Sequence, residues 1–334
     1  MVRNGSRVPT ISWCCLKLHK YAPMVLGAVL TVFILASAAG AAEHGRAGRP
    51  LCIVLASASS QTEQLQQILT SRYPASAVVS TASMCPAGTQ LALSVGPAAL
   101  RDMTQSAARY PAISLFVTRE EYRKIVATHA DISAIYAEVN PGVQLQLVKQ
   151  LYQRPVRVAV MLSEETDDLR GLFTSAAALA GLTLQIIRAP PASDPGRAVA
   201  TAGNFDALVL IPDPSVLSAV SFRTILEATY RRGEGVIGFS AGQVGAGTLA
   251  APFASLSDIL AQLDEMVSVY RTTGELPAPT YPRYWSVAIN ESVAHSLDLV
   301  VTEAARQMGS RPNGATEASP GLPSRASSDA PRSP

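Results

Sequence analysis

The sequence predicts an α/β protein of two doubly wound lobes, each with a parallel sheet, joined by hinge strands. Three observations predict it. Short apolar runs without polar alternation are separated by longer amphipathic ones, the pattern of a parallel sheet covered on both faces. The pattern runs through once and then restarts near residue 140. Finally, the ends do not read as folded protein: the first 42 residues hold four basic side chains, no acid and an apolar run, and the last 26, from Gly309, are mostly Pro, Ser, Gly and Ala. Removing them from 334 leaves 266 residues. Single cores stop growing near ~250–300 residues and typical domains have ~100–150, so two medium lobes are expected.

The elements follow in order. Leu51 to Leu55 reads as a buried strand, and Thr62 to Ser71 as a helix with Leu65, Ile68 and Leu69 on one face. Ala77 to Val79 and Gln90 to Val95 are strands, the latter ending at Gly96-Pro97. Pro97 to Arg109 suits a helix with proline in its first turn. Ala112 to Val117 is a strand and Glu120 to Ala127 a charged helix. After the restart come a helix at Val143 to Tyr152, a strand at Val156 to Leu162, and a helix at Asp167 to Ala180 closed by Gly181. Strands at Leu182 to Ile187, Ala207 to Ile211 and Val236 to Phe239 flank a helix at Val216 to Arg231. A Gly-rich link, a long helix near Ser257 to Thr272, a proline-rich crossing from Leu276 to Tyr284, a strand at Ser286 to Ile289 and a final helix end the fold. The segments after the second lobe read as returning to the first. The expected division is therefore 1–42 leader, 50–136 first lobe completed by about 242–275, 137–241 second lobe completed by about 280–305, and 309–334 an unstructured tail.

The leader has a basic flank ending at Lys20, an apolar stretch from Met24 to Ala38, and small residues through Ala42, the pattern of an export signal. The alternative is a retained anchor, since Tyr21 to Ala42 is long enough to span ~30 Å of hydrocarbon. Either way the body is expected outside the cytoplasm, in the periplasm. The leader also carries the net charge of +2: beyond it, 23 basic residues face 25 acids. A near-neutral body with scattered arginines has no clustered basic face, which disfavours nucleic acid as a partner. In an oxidising compartment Cys52 and Cys85, in and just after the first two strands, either form a disulfide or stay as two buried thiols. No C-x-x-C occurs and His44, His129 and His295 are isolated, so no metal site or cofactor is read.

Gly238-Phe239-Ser240-Ala241-Gly242 matches G-x-S-x-G after a strand, with Asp258, Asp264 and His295 in hydrolase order. A nucleophile elbow needs a helix starting at the serine, and Gln243 to Gly247 reads as a loop; no HGGG-like segment supplies a second oxyanion donor. Catalysis is therefore not expected. The acidic loop Ser163 to Asp168 lacks calcium-ligand spacing and reads as helix capping. Solitary glycines exclude a phosphate loop.

Ligands of open α/β sheets sit outside the carboxyl ends of the strands. Those ends carry Ser57, Ser59, Gly96, Thr118, Arg119, Ser163, Asp213 and Ser240, mostly hydroxyls and backbone donors, a lining suited to a small polar ligand. For each the competing role is turn or cap chemistry. Arg119 and Asp213 stand out, because charge at a strand end is costly unless used.

The stretch Ile113 to Tyr122, together with Ser133 to Tyr136, Ile211 to Pro214 and Val236 to Ser240, resembles ABC transporter substrate-binding proteins of the type I periplasmic binding fold. Tyr281-Pro282-Arg283-Tyr284 and Val287 to Asn290, with Ala294, look like that family's C-terminal signature. The resemblance runs from about Leu51 to Leu299. It implies two Rossmann-like lobes joined by hinge strands around a cleft that takes a small molecule such as an amino acid. It also implies a monomer that delivers its ligand to an ABC permease in the membrane. The loop Ala56 to Gln61 departs from the family in lacking a pinning aromatic or charge, and the tail lies outside the family pattern. The other readings are an accessory or sensor-input domain using the same clamp without transport and, third, the G-x-S-x-G serine hydrolase.

Overall fold

A computed structural model describes residues 51–56, 59–126, 131–189 and 194–312. The leader, Ser57 and the tail beyond residue 312 lie outside the described residues. The first sheet holds β1 (Leu51–Leu55), β2 (Ala77–Val79), β3 (Leu91–Val95), β4 (Ala112–Val117) and β5 (Ile132–Tyr136) in the order β2-β1-β3-β4-β5, with every pair parallel. Successive side chains of a strand point to opposite faces, and here the two faces differ in size. Leu51, Ile53, Leu55, Leu91, Leu93, Ile113, Leu115 and Ile135 form a large-residue face. Leu69 and Tyr73, at and just after the end of α1 (Ser60–Arg72), and Ile259, Leu263, Met266 and Tyr270 of α9 (Leu256–Thr273) pack on it. Cys52, Val54, Ala92, Ala112 and Ala134 form a small-residue face. It lets α2 (Gly96–Gln105) and α3 (Arg119–Val126) lie close, through Ala99, Leu100, Met103, Tyr122 and Val126. The continuous apolar strands are thus two interleaved faces. Of the two cysteine readings the disulfide holds: Cys52 and Cys85 are bonded with their Cα atoms 5.8 Å apart.

The second sheet holds β6 (Arg157–Leu162), β7 (Thr183–Arg188), β8 (Ala207–Val209), β9 (Gly235–Ile237), β10 (Ala250–Phe253), β11 (Trp285–Ile289) and β12 (Gly309–Ser310) in the order β12-β11-β10-β9-β8-β6-β7. Its first five strands run parallel, whereas β11 and β12 are antiparallel. On one face Leu145, Leu147, Val148 and Leu151 of α4 (Pro141–Tyr152) and Phe173 and Ala177 of α5 (Arg170–Ala180) cover Val158, Val160 and Val209. On the other, Val199 of α6 (Pro195–Thr201) and Ile225 of α7 (Ala219–Tyr230) cover Ala159, Met161, Leu208 and Val236. The short helices α8 (Ala241–Gly245), α10 (Glu291–Ser296) and α11 (Glu303–Arg306) complete this lobe.

Two boundaries differ from the sequence reading. The stretch from residue 242 to Phe253 stays with the second lobe, because β10 pairs with β9 and β11; the return to the first lobe starts only at Leu256. Gly309 and Ser310 pair with β11 instead of opening the tail, so the edge of the second sheet extends past the expected boundary.

The chain crosses between lobes three times: between Tyr136 and Pro141, between Phe253 and Leu256, and between Thr273 and Trp285. Two of the crossings are tied together. The Tyr136 N–H donates to the Thr280 carbonyl (3.0 Å) and the Thr280 N–H to that of Ala134 (2.9 Å). Buried Gln262 of α9 steadies the same Thr273–Trp285 crossing further along, accepting from the Arg283 N–H at 2.6 Å. Several adjacent connections restrict the lobes to bending about a common axis, the arrangement of a hinge.

Candidate functional site

The carboxyl ends of β4 and β6 meet. β4 reaches the site through an irregularity: its register with β5 shifts between Leu115 and Val117, and Phe116 has φ 57°. Positive φ is strained for a bulky residue, and such bulges re-aim the residues that follow. Those residues are Thr118 and Arg119. Thr118 opens α3, its N–H and hydroxyl both donating to the Glu121 carboxylate at 3.0 Å while its oxygen accepts from the Glu121 N–H at 3.1 Å. The Arg119 N–H donates to Glu138 at 2.9 Å. The Arg119 guanidinium extends to Asp168 of the other lobe at 2.5 Å.

Across the cleft, Asp213 organises the loop after β6. It is 2% exposed, and one carboxylate oxygen accepts from Ser163 (2.6 Å) and Thr166 (3.0 Å). The other accepts from the Ser215 N–H and hydroxyl at 3.0 and 2.6 Å. Asp213 and Ser163 therefore meet each other, and their strand-end polarity is used to shape this loop. The loop acids that the sequence assigns to capping reach out of it. Asp168 meets Arg119 and, at 3.0 Å, Arg123, and Glu165 meets Lys124.

The structure thus pairs Ser163 with Asp213 and links Arg119 to the loop they shape through Asp168, whereas the Thr118 side chain bonds Glu121 of its own helix. Three others close their own helices: Ser59 caps α1, Gly96 opens α2 with φ +79°, and Ser240 caps α8. Ser57 lies outside the described residues. The sequence reading of Gln243 to Gly247 as a loop is corrected, since α8 follows Ser240 directly. Yet Ser240 has φ −149° and ψ 150°, ordinary extended backbone unlike a strained elbow, and its hydroxyl accepts from the Gln243 N–H. Asp258 caps α9, and Asp264 is bound by Arg72 and Tyr73. Ser240 and both acids are thus each engaged with partners of their own.

Glu138 escaped the sequence reading. It follows β5, a strand not assigned there; a charge just past a strand end was the available signal. Its side chain is 5% exposed, with one oxygen on the Arg119 N–H and the other buried without a partner. Burial pushes its carboxyl up to about 7, against the Arg119 N–H, which favours the ionised form. Asp168 shows the opposite balance: partial burial raises it, but its hydrogen bond to Arg119 and the charges of Arg119 and Arg123 outweigh that and hold it below the usual range. Beside Arg119 stand aromatic rings: Tyr136 meets Tyr122 and Tyr281 edge-on, with centroids 5.7 and 5.2 Å apart. Burial raises the Tyr122 hydroxyl to about 12 and Tyr281 further, so both stay neutral. A cation, a buried acid, neutral phenols and hydroxyls suit noncovalent recognition of a small polar molecule. Among the described residues no group of three His, Cys, Asp or Glu is placed to hold a metal ion. One cavity, of about 550 Å³, lies elsewhere, between α4 and α5.

No family model matches the chain, and no curated protein does. Solved structures do. One is the ABC domain from Streptococcus pneumonia in complex with L-Trp, with TM-score 0.54 and 16% identity over 78% of this chain and 98% of that one. Another is the ligand-free, open form of a substrate binding protein with adhesive properties from Clostridium difficile, with TM-score 0.56 and 13% identity over 78% and 98%. The chain has the type I periplasmic binding fold. A conserved domain protein from Vibrio cholerae shares it, with TM-score 0.53 and 16% identity over 77% of this chain and 96% of that one. The strand ends described above face each other between the two lobes, where Arg119 reaches Asp168.

Proposed function

We propose that the protein is an extracytoplasmic solute-binding protein that captures a small polar ligand between its lobes and presents it to an ABC transporter. One observation carries this reading: three crossings join two predominantly parallel sheets, and residues past their parallel strands' carboxyl ends face each other, Arg119 and Glu138 from one lobe and the Ser163–Asp168 loop from the other. Arg119 suits an anionic group and Glu138 a cationic one, a pairing that fits a zwitterion such as an amino acid. The L-Trp complex of the Streptococcus pneumonia domain supports that ligand class. The basic, apolar and small-residue segments of the leader support export to the periplasm. The working division is one lobe of residues 51–136 with α9, and a second of 137–253 with 285–310. Closure stores no covalent chemistry: a ligand that binds the closed form better shifts the lobes towards it.

The test is a thermal-shift panel of amino acids and small sugars on the exported protein. A true ligand at a hundred times its Kd stabilises by about 2.7 kcal/mol. Arg119→Ala should abolish the shift given by an anionic ligand. A panel in which no member raises Tm sinks the reading.

A further inference from the structure

We propose that α3 and the loop after β6 form an ionic latch that holds the two lobes together with no ligand bound. Three ion pairs cross the cleft: Arg119 to Asp168 at 2.5 Å, Arg123 to Asp168 at 3.0 Å, and Lys124 to Glu165. All three cations come from one short helix, and both acids from one loop. Each set is braced from behind. Glu120, its side chain 8% exposed, lies 3.7 Å from both Arg123 and Lys124 and so holds two cations in place. Glu138 fixes the first turn of α3 through the Arg119 N–H. On the other side, Asp213 fixes the loop through Ser163 and Thr166.

Bracing matters because isolated exposed pairs are weak chiefly through the side-chain freedom lost in forming them. Here much of that freedom is already gone within each lobe. Three pairs, each worth a factor of about two to five, bias the closed arrangement by about tenfold to a hundredfold. The latch holds the Arg119 guanidinium on Asp168, so an anionic ligand that takes Arg119 must displace Asp168 from it, while the Arg123 and Lys124 pairs are left in place.

Carbodiimide cross-linking of the ligand-free protein tests this, since it joins a carboxylate to an amine only where they touch. Lys124 and Lys149 are the only lysines after residue 42, so a Lys124–Glu165 peptide is unambiguous by mass spectrometry. The link is expected at low salt and should be suppressed at about 1 M salt, where screening acts over about 3 Å. Asp168→Asn removes two of the three pairs and should lower the yield by about fivefold to twentyfold. Circular dichroism of the variant establishes that it is folded. The proposal is overturned if no link forms in the folded wild type, or if the yield is insensitive either to salt or to Asp168→Asn.

Discussion

Replacing Glu138 by Gln should change how the protein's stability depends on pH. The native carboxyl is raised from 4.5 to about 7, principally by burial. Between those values the folded state binds more protons than the unfolded one, so stability falls as pH rises through the window. The penalty is absent below about pH 4 and complete above about pH 7. A difference of about 2.5 pKa units corresponds to about 3 kcal/mol. Gln keeps the acceptor for the Arg119 N–H but cannot ionise. Glu234 titrates in the same range, also raised to about 7, and burial raises Glu120 too. The informative quantity is therefore the difference between variant and wild type. Denaturant unfolding of both proteins from pH 4 to 8 should show the stability difference, variant minus wild type, moving by about 3 kcal/mol in the variant's favour as pH rises. A difference that stays flat refutes the claim that burial charges a cost to this carboxylate.

Three further outcomes are expected. Removing the Cys52–Cys85 bond in a double alanine variant opens a loop of sequence separation 33 and should cost about 4 kcal/mol in the chain-entropy model, read by denaturant unfolding. Leu263→Ala empties a fully buried position where α9 packs on the first sheet and should cost about 2–5 kcal/mol. Ser240→Ala removes the cap of α8 for about 1 kcal/mol and should leave any ligand-induced thermal shift intact; loss of turnover of a generic ester would revive the hydrolase reading.

Much of the fold is legible in the sequence because it is written in local pattern. β1, β2 and β4 occupy the stretches their apolar runs predict, and Gly181 closes α5 in the left-handed conformation expected of it. What escapes is either too short or too distant. α8 is five residues of a Gly-rich link, with no room for a helical period, and only the cap at Ser240 betrays it. β12 is two residues long and exists through its pairing with β11. In the site, Arg119 is found from its place after a strand, but its partner is not: Asp168 is 49 residues away. The acids after β6 look like helix capping because capping is the nearest local explanation, and only the tertiary fold brings α3 against them. Asp213 shows the converse. Its burial is real, but hydroxyls of its own lobe occupy both oxygens.

The late return of α9 to the first lobe has a consequence for how this chain must fold as it emerges from its N-terminus. The large-residue face of the first sheet is complete as soon as β5 exists, but half of its cover lies beyond β10. Until then the face of Leu51, Leu93 and Ile113 has no α9 to pack against, an interval in which exposed apolar surface invites misassembly. Cys52 and Cys85, by contrast, both belong to the earliest part of the lobe. Their bond can form while α9 is still missing, clamping the unfinished sheet to the turn after β2 and narrowing what it can wrongly become.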